Sequence, residues 1–108
     1  MPSTERELAN DVAIVTGAAH NIGRATCLAL AEAGAAVCVN AMTSGAEAEA
    51  LAREIEDAGG RAMHFTASIT DAAAIKEMTD AVVERFGKLS ILINNAGVVF
   101  GTRLTDID

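Results

Sequence analysis

Four short apolar runs alternate with three longer stretches of helical periodicity along this chain. The runs cover residues 12–16, 37–40, 61–67 and 89–93, and apolar residues recur at helical spacing between them. Strands that alternate with helices in this way form a parallel sheet covered on both faces. Right-handed crossovers, with a reversal after the third strand, predict an α/β fold: a doubly wound, Rossmann-like sheet of four strands in the order 3-2-1-4 with three helices.

The ends of the helices are marked by capping residues. Ser44 and Glu47 form a capping box at the start of the second helical stretch, and Thr70-Asp71 precedes the third. The glycines that follow the three stretches as C-terminal stops are Gly34, Gly59, Gly60 and Gly87. The apolar stripe that we expect the third helix to bury comprises Ile75, Met78, Val82 and Phe86.

The composition fits one globular domain, which we expect to span residues 1–108. The net charge is −7, so the clustered Lys and Arg that bind nucleic acid or anionic membranes are not expected. No apolar run approaches the roughly 18 residues of a membrane span, and the N-terminal residues lack the layout of a signal peptide. We therefore expect a cytoplasmic protein without nucleic-acid or membrane partners.

Neither cysteine lies at metal-ligand spacing. Cys27 falls on the first helical stretch and Cys38 inside the second apolar run, without Cys or His partners nearby in sequence. We expect both to be buried free thiols rather than a disulfide or a metal site. His64, on the third strand, is expected to be a structural edge residue.

The loop after the first strand carries two glycines six residues apart, in the stretch TGAAHNIGRA (residues 16–25). Gly17 lets the chain turn off the strand, and Gly23 lets the following helix and a ligand approach without a Cβ. Free N–H groups at the start of that helix would then face an anion such as a pyrophosphate. Two glycines also occur in plain tight turns, but the position directly after the first strand favours the binding loop.

Two motifs together resemble the short-chain dehydrogenases/reductases. The cofactor signature of that family, Thr-Gly-x-x-x-Gly-x-Gly, is similar to TGAAHNIG (residues 16–23), and its second signature, NNAG, stands at residues 94–97. The resemblance extends from Asp11 onward. It implies a dinucleotide cofactor and hydride transfer between its nicotinamide ring and a carbonyl or alcohol of a small-molecule substrate.

The resemblance also gives a set of candidate cofactor contacts, all near the carboxyl ends of predicted strands. These are Gly17, Ala19, His20, Asn21, Ile22, Gly23, Asn40, Met42, Ser68, Ile69, Asn95, Ala96 and Gly97. His20 can equally be an exposed loop residue.

Three positions depart from the family pattern. Asn21 replaces a glycine, and we expect the turn to keep its conformation because Asn tolerates left-handed backbone. Ser68 stands where the family often has an Asp that contacts the adenine, so a weaker contact is expected. Ser90 replaces a common Asp before the fourth strand, which puts the bracing of that loop in doubt.

The end of the second strand bears on cofactor choice. NAD-binding sites of this kind usually place a carboxylate there, on the ribose 2′-hydroxyl. Residues 40–44 contain no acid, so NADP is favoured over NAD, with His20, Thr43 and Ser44 as candidate contacts to a 2′-phosphate. No arginine stands at position 42, where some NADP-preferring relatives have one. An acid introduced at Ala41 is expected to favour NAD.

The chain lacks the catalytic residues that the resemblance implies. The family uses a Tyr as general acid/base, a Lys four residues later and a Ser, whereas this chain contains no Tyr, and Lys76 and Lys88 lie on and just after the third helix. We therefore predict no catalytic residue. We expect the cofactor-binding N-terminal half of an enzyme, silent and association-prone alone, whose parent forms a homo-oligomer through helices beyond Asp108.

Two other functions stay open at this point. One is a stand-alone nucleotide-binding or regulatory module without catalysis; a Tyr-x-x-x-Lys encoded downstream of Asp108 would argue against it. The other is an unrelated doubly wound signalling domain, such as a phosphate receiver. Such a receiver needs an acidic cluster at the carboxyl ends of its strands, whereas the first strand here ends in Thr16-Gly17.

Overall fold

Four parallel strands and three helices form the fold in the computed structural model, which describes residues 7–18, 21–43, 45–68 and 70–94. The elements are β1 (Val12–Thr16), α1 (Asn21–Glu32), β2 (Ala36–Ala41), α2 (Gly45–Asp57), β3 (Arg61–Thr66), α3 (Ala72–Phe86) and β4 (Ile91–Asn94). The strands pair in the order β3-β2-β1-β4, and every pair is parallel. The predicted doubly wound sheet is confirmed.

The two central strands are covered on both faces. Every residue of β1 and β2 is buried, which is why their sequences are nearly continuous apolar runs. One face of the sheet packs against α1 and α2, and the other packs against α3. Residues of β2 alternate between them: Val37, Val39 and Ala41 face α1 and α2, whereas Ala36 and Cys38 face α3.

The caps of α3 explain where that helix begins and ends. Asp71 is the N-cap, and one of its carboxylate oxygens accepts the N–H groups of Ala73 at 3.0 Å and Ala74 at 3.2 Å. Gly87 closes the helix with a φ of 90°, a left-handed conformation that favours glycine, and its N–H donates to the Val83 carbonyl. Ser44, the predicted N-cap of α2, lies outside the described residues.

The third helix buries less of its stripe than predicted. Met78 and Val82 are buried and Phe86 packs against them, but Ile75 is 37% exposed. Ile75 lies in the first turn of α3, at the carboxyl end of the sheet. Met78 and Val82, one and two turns later, are the residues of the helix that pack against the strands.

Side-chain hydrogen bonds stabilise the amino end of the sheet and its β3 edge. The Ser90 hydroxyl accepts the N–H of Val12 at 2.9 Å and lies 3.0 Å from an Asp11 carboxylate oxygen, to which it can donate. Ser90 therefore still braces the loop before β4. At the β3 edge, Arg85 of α3 donates to Glu56 of α2 at 3.3 Å, which joins helices from opposite faces of the sheet. In the described part of the chain, no helix is long and apolar enough to cross a bilayer.

Candidate functional site

The carboxyl ends of β1, β2 and β4 meet at one edge of the sheet. The neighbours of β1 are β2 and β4, and the connecting helices α1 and α3 pack on opposite faces. The strand order therefore runs from β1 through β2 to β3 and then reverses, which places β4 on the other side of β1. Ligands of doubly wound sheets bind in the crevice that this reversal creates.

A tight turn follows β1 at this edge. Gly17 has a φ of 59°, in the left-handed region, which redirects the chain as soon as the strand ends. The next residue, Ala18, is fully buried, and its N–H donates to the carbonyl of Asn40 at 3.0 Å. The turn is thus attached to the end of β2 as well as to β1.

The start of α1 lies directly against that turn. A Cβ on Gly23 would be 2.4 Å from the carbonyl oxygen of Gly17 and 2.8 Å from the Cα of Ala18. Both contacts are with backbone, so a side-chain rotation cannot relieve them. Gly23 is therefore required for this packing, as the sequence predicted.

The N-terminus of α1 has the electrostatics of an anion site. The first N–H groups of a helix have no partner within the helix, and they carry its positive dipole end. The first turn of α1 contains no acidic residue, whereas the first turn of α2 contains Glu47. Ile22, in the first turn of α1, is 74% exposed. Arg24 forms an ion pair with Glu54 of α2, so its charge is already matched.

Asn21 is the first residue of α1. A helical position needs no left-handed backbone, so the glycine that the family pattern has there is not required. The tolerance of Asn for left-handed backbone is therefore not needed at this position, and the start of the helix accepts the residue.

A partly buried hydrogen bond joins the two sequence motifs. The Thr16 hydroxyl, at the end of β1, donates to the side-chain oxygen of Asn94 at 2.9 Å. Thr16 is only 4% exposed. The first residue of TGAAHNIG is therefore fixed to the first residue of NNAG, and the ends of β1 and β4 are held together. Sequence reasoning missed this contact, although the pairing of two motifs was its signal.

Two predicted cofactor contacts lie at the end of β2, one exposed and one buried. Met42 is 55% exposed, while Asn40 is 1% exposed. The Asn40 amide donates to the carbonyls of Phe65 at 3.0 Å and Ala67 at 3.2 Å, at the end of β3. Ala41 is 4% exposed and packs toward α2. An acid at position 41 would lie in the core, so the position suited to the test of cofactor choice is Met42.

Ser68 follows β3 at the same edge and is half-buried. Its hydroxyl lies 2.8 Å from the Thr70 hydroxyl and accepts the N–H of Thr70 at 3.2 Å. A hydroxyl offers one donor and two acceptors. Ser68 thus stabilises a local turn and keeps capacity for one more polar contact.

The remaining candidate contacts cannot be placed. Residues outside the described ranges are Ala19, His20, Ile69, Asn95, Ala96 and Gly97. The side chain of Asn21 is likewise not described.

Both cysteines are buried and free, as predicted. Burial raises the pKa of each thiol from 9.0 to about 12. His64 is exposed on β3, the outer strand of the described sheet. Among the described residues, no three His, Cys, Asp or Glu side chains converge as metal ligands would.

A groove between the C-terminal halves of α1 and α2 lies far from this edge. It is lined by Leu28, Ala31, Glu32, Ile55, Ala58, Gly59 and Gly60. Its lining is mostly alkyl, and its one charged group is a carboxylate. The groove offers no counterpart to the helix N-terminus and the paired motifs at the carboxyl edge.

Comparison with known proteins gives concordant results. The model of the family described as short chain dehydrogenase matches residues 11–108. An uncharacterized oxidoreductase of Methylorubrum extorquens is 44% identical over 92 residues, covering 85% of this chain and 37% of that protein. A 3-oxoacyl-(acyl-carrier-protein) reductase of Synechocystis is 38% identical over 97 residues, covering 90% of this chain and 39% of that protein.

A solved structure agrees with these sequence matches. The crystal structure of a dehydrogenase/reductase from Sinorhizobium meliloti superposes with a TM-score of 0.82 at 39% identity, covering 95% of this chain and 43% of that one. The chain thus spans less than half of that structure and about 37% to 39% of the two curated relatives.

Proposed function

The chain belongs to the short-chain dehydrogenase family, and on that premise we propose that it binds a nicotinamide dinucleotide at the carboxyl edge of its sheet. In the whole protein the bound cofactor exchanges a hydride with a carbonyl or alcohol of a small-molecule substrate. The relatives carry oxidoreductase names, and one is a reductase of 3-oxoacyl groups on acyl carrier protein. For this protein we propose an oxidoreductase that acts on a carbonyl or alcohol of a small molecule.

The packing of Gly23 against the Gly17 turn is the observation that carries this proposal. The close approach brings the N-terminus of α1 to the end of β1. The strand order of the sheet reverses at this point, between β1 and β4. The acid-free first turn of α1 favours an anion there. A diphosphate bridge is the anion that a dinucleotide presents at this position.

The proposed contacts follow from the positions of the segments along the edge. Gly17 and the first turn of α1 would hold the pyrophosphate, and residues 95–97, which follow β4 in the sequence, would supply further contacts to the cofactor. The adenosine half lies across the ends of β2 and β3. Contacts proposed for the pyrophosphate segment are Gly17, Ala19, His20, Asn21, Ile22 and Gly23, and those proposed for the adenosine half are Met42, Ser68 and Ile69. Asn40, which is 1% exposed, belongs to the adenosine half as a residue behind these contacts.

We propose a preference for NADP over NAD. The exposed residues described after β2 are Met42 and Thr43, and neither is an acid that would repel a 2′-phosphate. A hydroxyl at Thr43 can donate to such a phosphate. His20 and Ser44 are additional proposed contacts.

The proposed role of this chain is cofactor binding rather than proton transfer. Its 108 residues include no Tyr, so none of them supplies the phenolic acid/base of the family. The second candidate function is a nucleotide-binding module without catalysis. A 340-nm reductase assay of the whole protein, run beside the binding measurement, separates the two, because only an enzyme consumes NADPH. We further propose that the whole protein is a homo-oligomer.

Titration calorimetry with NADP⁺ and NAD⁺ tests the proposal on wild type and two glycine variants. Gly17→Val puts a β-branched side chain at a φ of 59° beside the pyrophosphate and should abolish binding. Gly87→Val imposes similar backbone strain at a φ of 90°, with nothing within 4 Å of its Cβ, at the far end of α3. It should keep wild-type affinity. Wild-type protein that binds neither dinucleotide, or equal affinity in Gly17→Val, would refute the assignment.

A further inference from the structure

Asn40 is a polar residue inside an otherwise apolar strand. The other residues of β2 are alanine, valine and cysteine, all buried, and Asn40 itself is 1% exposed. Burying an amide without hydrogen bonds is unfavourable, and an aliphatic residue would suit a strand covered on both faces. The position therefore calls for an explanation beyond packing.

The side chain of Asn40 holds the end of β3. Its nitrogen donates to the carbonyls of Phe65 and Ala67, at 3.0 and 3.2 Å. Both partners are carbonyl oxygens, so the amide nitrogen, which has two hydrogens, matches both. The regular pairing of β2 with β3 ends at Thr66. Beyond it, Ala67 is held by this bond to Asn40 and by its own N–H, which donates to the carbonyl of Ala41 at 3.0 Å. Both bonds constrain the backbone directly before Ser68.

The backbone of Asn40 is bonded to the turn that follows β1. Its carbonyl accepts the N–H of Ala18, in the turn that follows Gly17, at 3.0 Å. One residue is thus bonded to the glycine turn after β1 and to the segment after β3. These two segments flank the end of β2. We call them the walls of the region across which the proposed function places the adenosine half of the cofactor.

We propose that Asn40 is a positioning residue that fixes the spacing of these two walls. This proposal rests on the proposed function. Asn40 acts through Ala18 and Ala67 and does not itself need to touch the cofactor. Loss of its amide removes two of the bonds that hold the Ala67–Ser68 wall and leaves the bond from the Ala67 N–H to the Ala41 carbonyl. The β1–β2 pairing remains, so adenosine binding should weaken more than binding of the nicotinamide half.

The test compares Asn40→Leu with Cys38→Ala. Leu has the same number of side-chain heavy atoms as Asn but no N–H, so it removes the bonds without leaving a cavity. Cys38 lies two residues earlier on the same face of β2, is also fully buried, and packs in the apolar cluster that contains Met78 and Val82 of α3. The probes are 2′,5′-ADP for the adenosine half and nicotinamide mononucleotide for the other half.

We expect Asn40→Leu to weaken 2′,5′-ADP binding by about tenfold, the effect of one hydrogen bond, and to change mononucleotide binding by less than about twofold. Cys38→Ala should leave the ratio of the two affinities unchanged even if it lowers stability. Equal weakening of both probes in Asn40→Leu would overturn the positioning role.

Amide hydrogen exchange gives a second readout that needs no ligand. In Asn40→Leu the N–H groups of Ala67 and Ser68 should exchange about tenfold faster, while those of Ile14 and Val15 in β1 stay protected. Unchanged exchange at Ala67 and Ser68 would refute the proposal that the Asn40 side chain stabilises this segment. If Asn40→Leu does not fold, Asn40→Ser, which keeps one donor, takes its place with the same expectations. Wild-type protein that binds neither probe would refute the proposed function, while the exchange experiment would still decide the role of Asn40.

Discussion

Gly23→Ala is the smallest change that separates the start of α1 from the glycine turn. The added methyl group would lie 2.4 Å from the Gly17 oxygen and 3.2 Å from the Gly17 carbonyl carbon. Contacts of a Cβ below 3.0 Å are essentially absent from real structures, so the helix or the turn must move by more than half an ångström. All the atoms in the way are backbone atoms.

Two opposing effects on stability can be compared. Replacing glycine by alanine within a helix gains up to about 1 kcal/mol, and less in a first turn. Overpacking a closely packed site costs about 1–3 kcal/mol. Because no rotamer change can relieve a clash with backbone, we expect the upper part of that range. The free energy of unfolding should fall by about 1–2 kcal/mol.

Binding should fall further than stability. The N–H groups of the first turn of α1 move with the helix, and a hydrogen bond to a charged group is worth about 1.5–3 kcal/mol. Loss of one such bond to the pyrophosphate weakens NADP⁺ binding by roughly tenfold to a hundredfold. Calorimetry at a temperature where the variant stays folded by circular dichroism measures this change.

Gly87→Ala is the matched control. It forces alanine into a left-handed φ of 90° with no steric contact, so it should lose about 1–2 kcal/mol of stability at a site remote from the carboxyl edge. Its dinucleotide affinity should be that of wild type. If Gly23→Ala bound NADP⁺ as tightly as wild type, the anion site could not depend on the contact between α1 and the turn, and the reasoning would fail.

Three further outcomes are expected. Met42→Asp should shift the ratio of NADP⁺ to NAD⁺ affinity toward NAD⁺ by about tenfold or more, because the carboxylate repels a 2′-phosphate; Met42→Asn is the neutral control, and an unchanged ratio would remove the end of β2 from the ribose. Thr16→Val should lower the urea-unfolding free energy by about 1–2 kcal/mol through loss of the bond to Asn94; no loss would mean that this bond contributes nothing. With thiol pKa values raised from 9.0 to about 12, the stability due to neutral thiols is complete below pH 9 and lost as the pH rises toward 12. Urea midpoints should therefore fall less steeply in this range for Cys27→Ala and Cys38→Ala, and parallel curves would contradict the burial effect.

The order of helices and strands could be predicted because independent sequence signals place the element boundaries at the same positions. Apolar runs, capping residues and glycine stops all divide the chain at the same places, and right-handed crossovers leave few topologies. The boundaries are less determined. The apolar stretch at β4 begins at Leu89, but the strand itself begins at Ile91. Ser90, directly before it, bonds to Val12 through both its backbone N–H and its side-chain hydroxyl.

The inward and outward directions at the end of β2 could not be predicted. A strand buried on both faces has no apolar–polar alternation, so its sequence does not indicate which face each residue meets. Ala41 therefore looked as suitable as Met42 for an acid. Only the helices that cover each face show that Ala41 packs toward α2 and that Met42 is exposed.

The candidate site is built mainly from backbone groups, which explains both its clear signature and its tolerance of change. Positions 17 and 23 must be glycine because one needs a positive φ and the other has no room for a Cβ, whereas position 21 is an ordinary helical residue and accepts Asn. Side chains such as Thr16 and Asn40 act one step away, by fixing the strand ends that present this backbone. A departure from the family pattern should therefore matter in proportion to what its backbone position requires, and Asn21 is a departure that this fold can absorb.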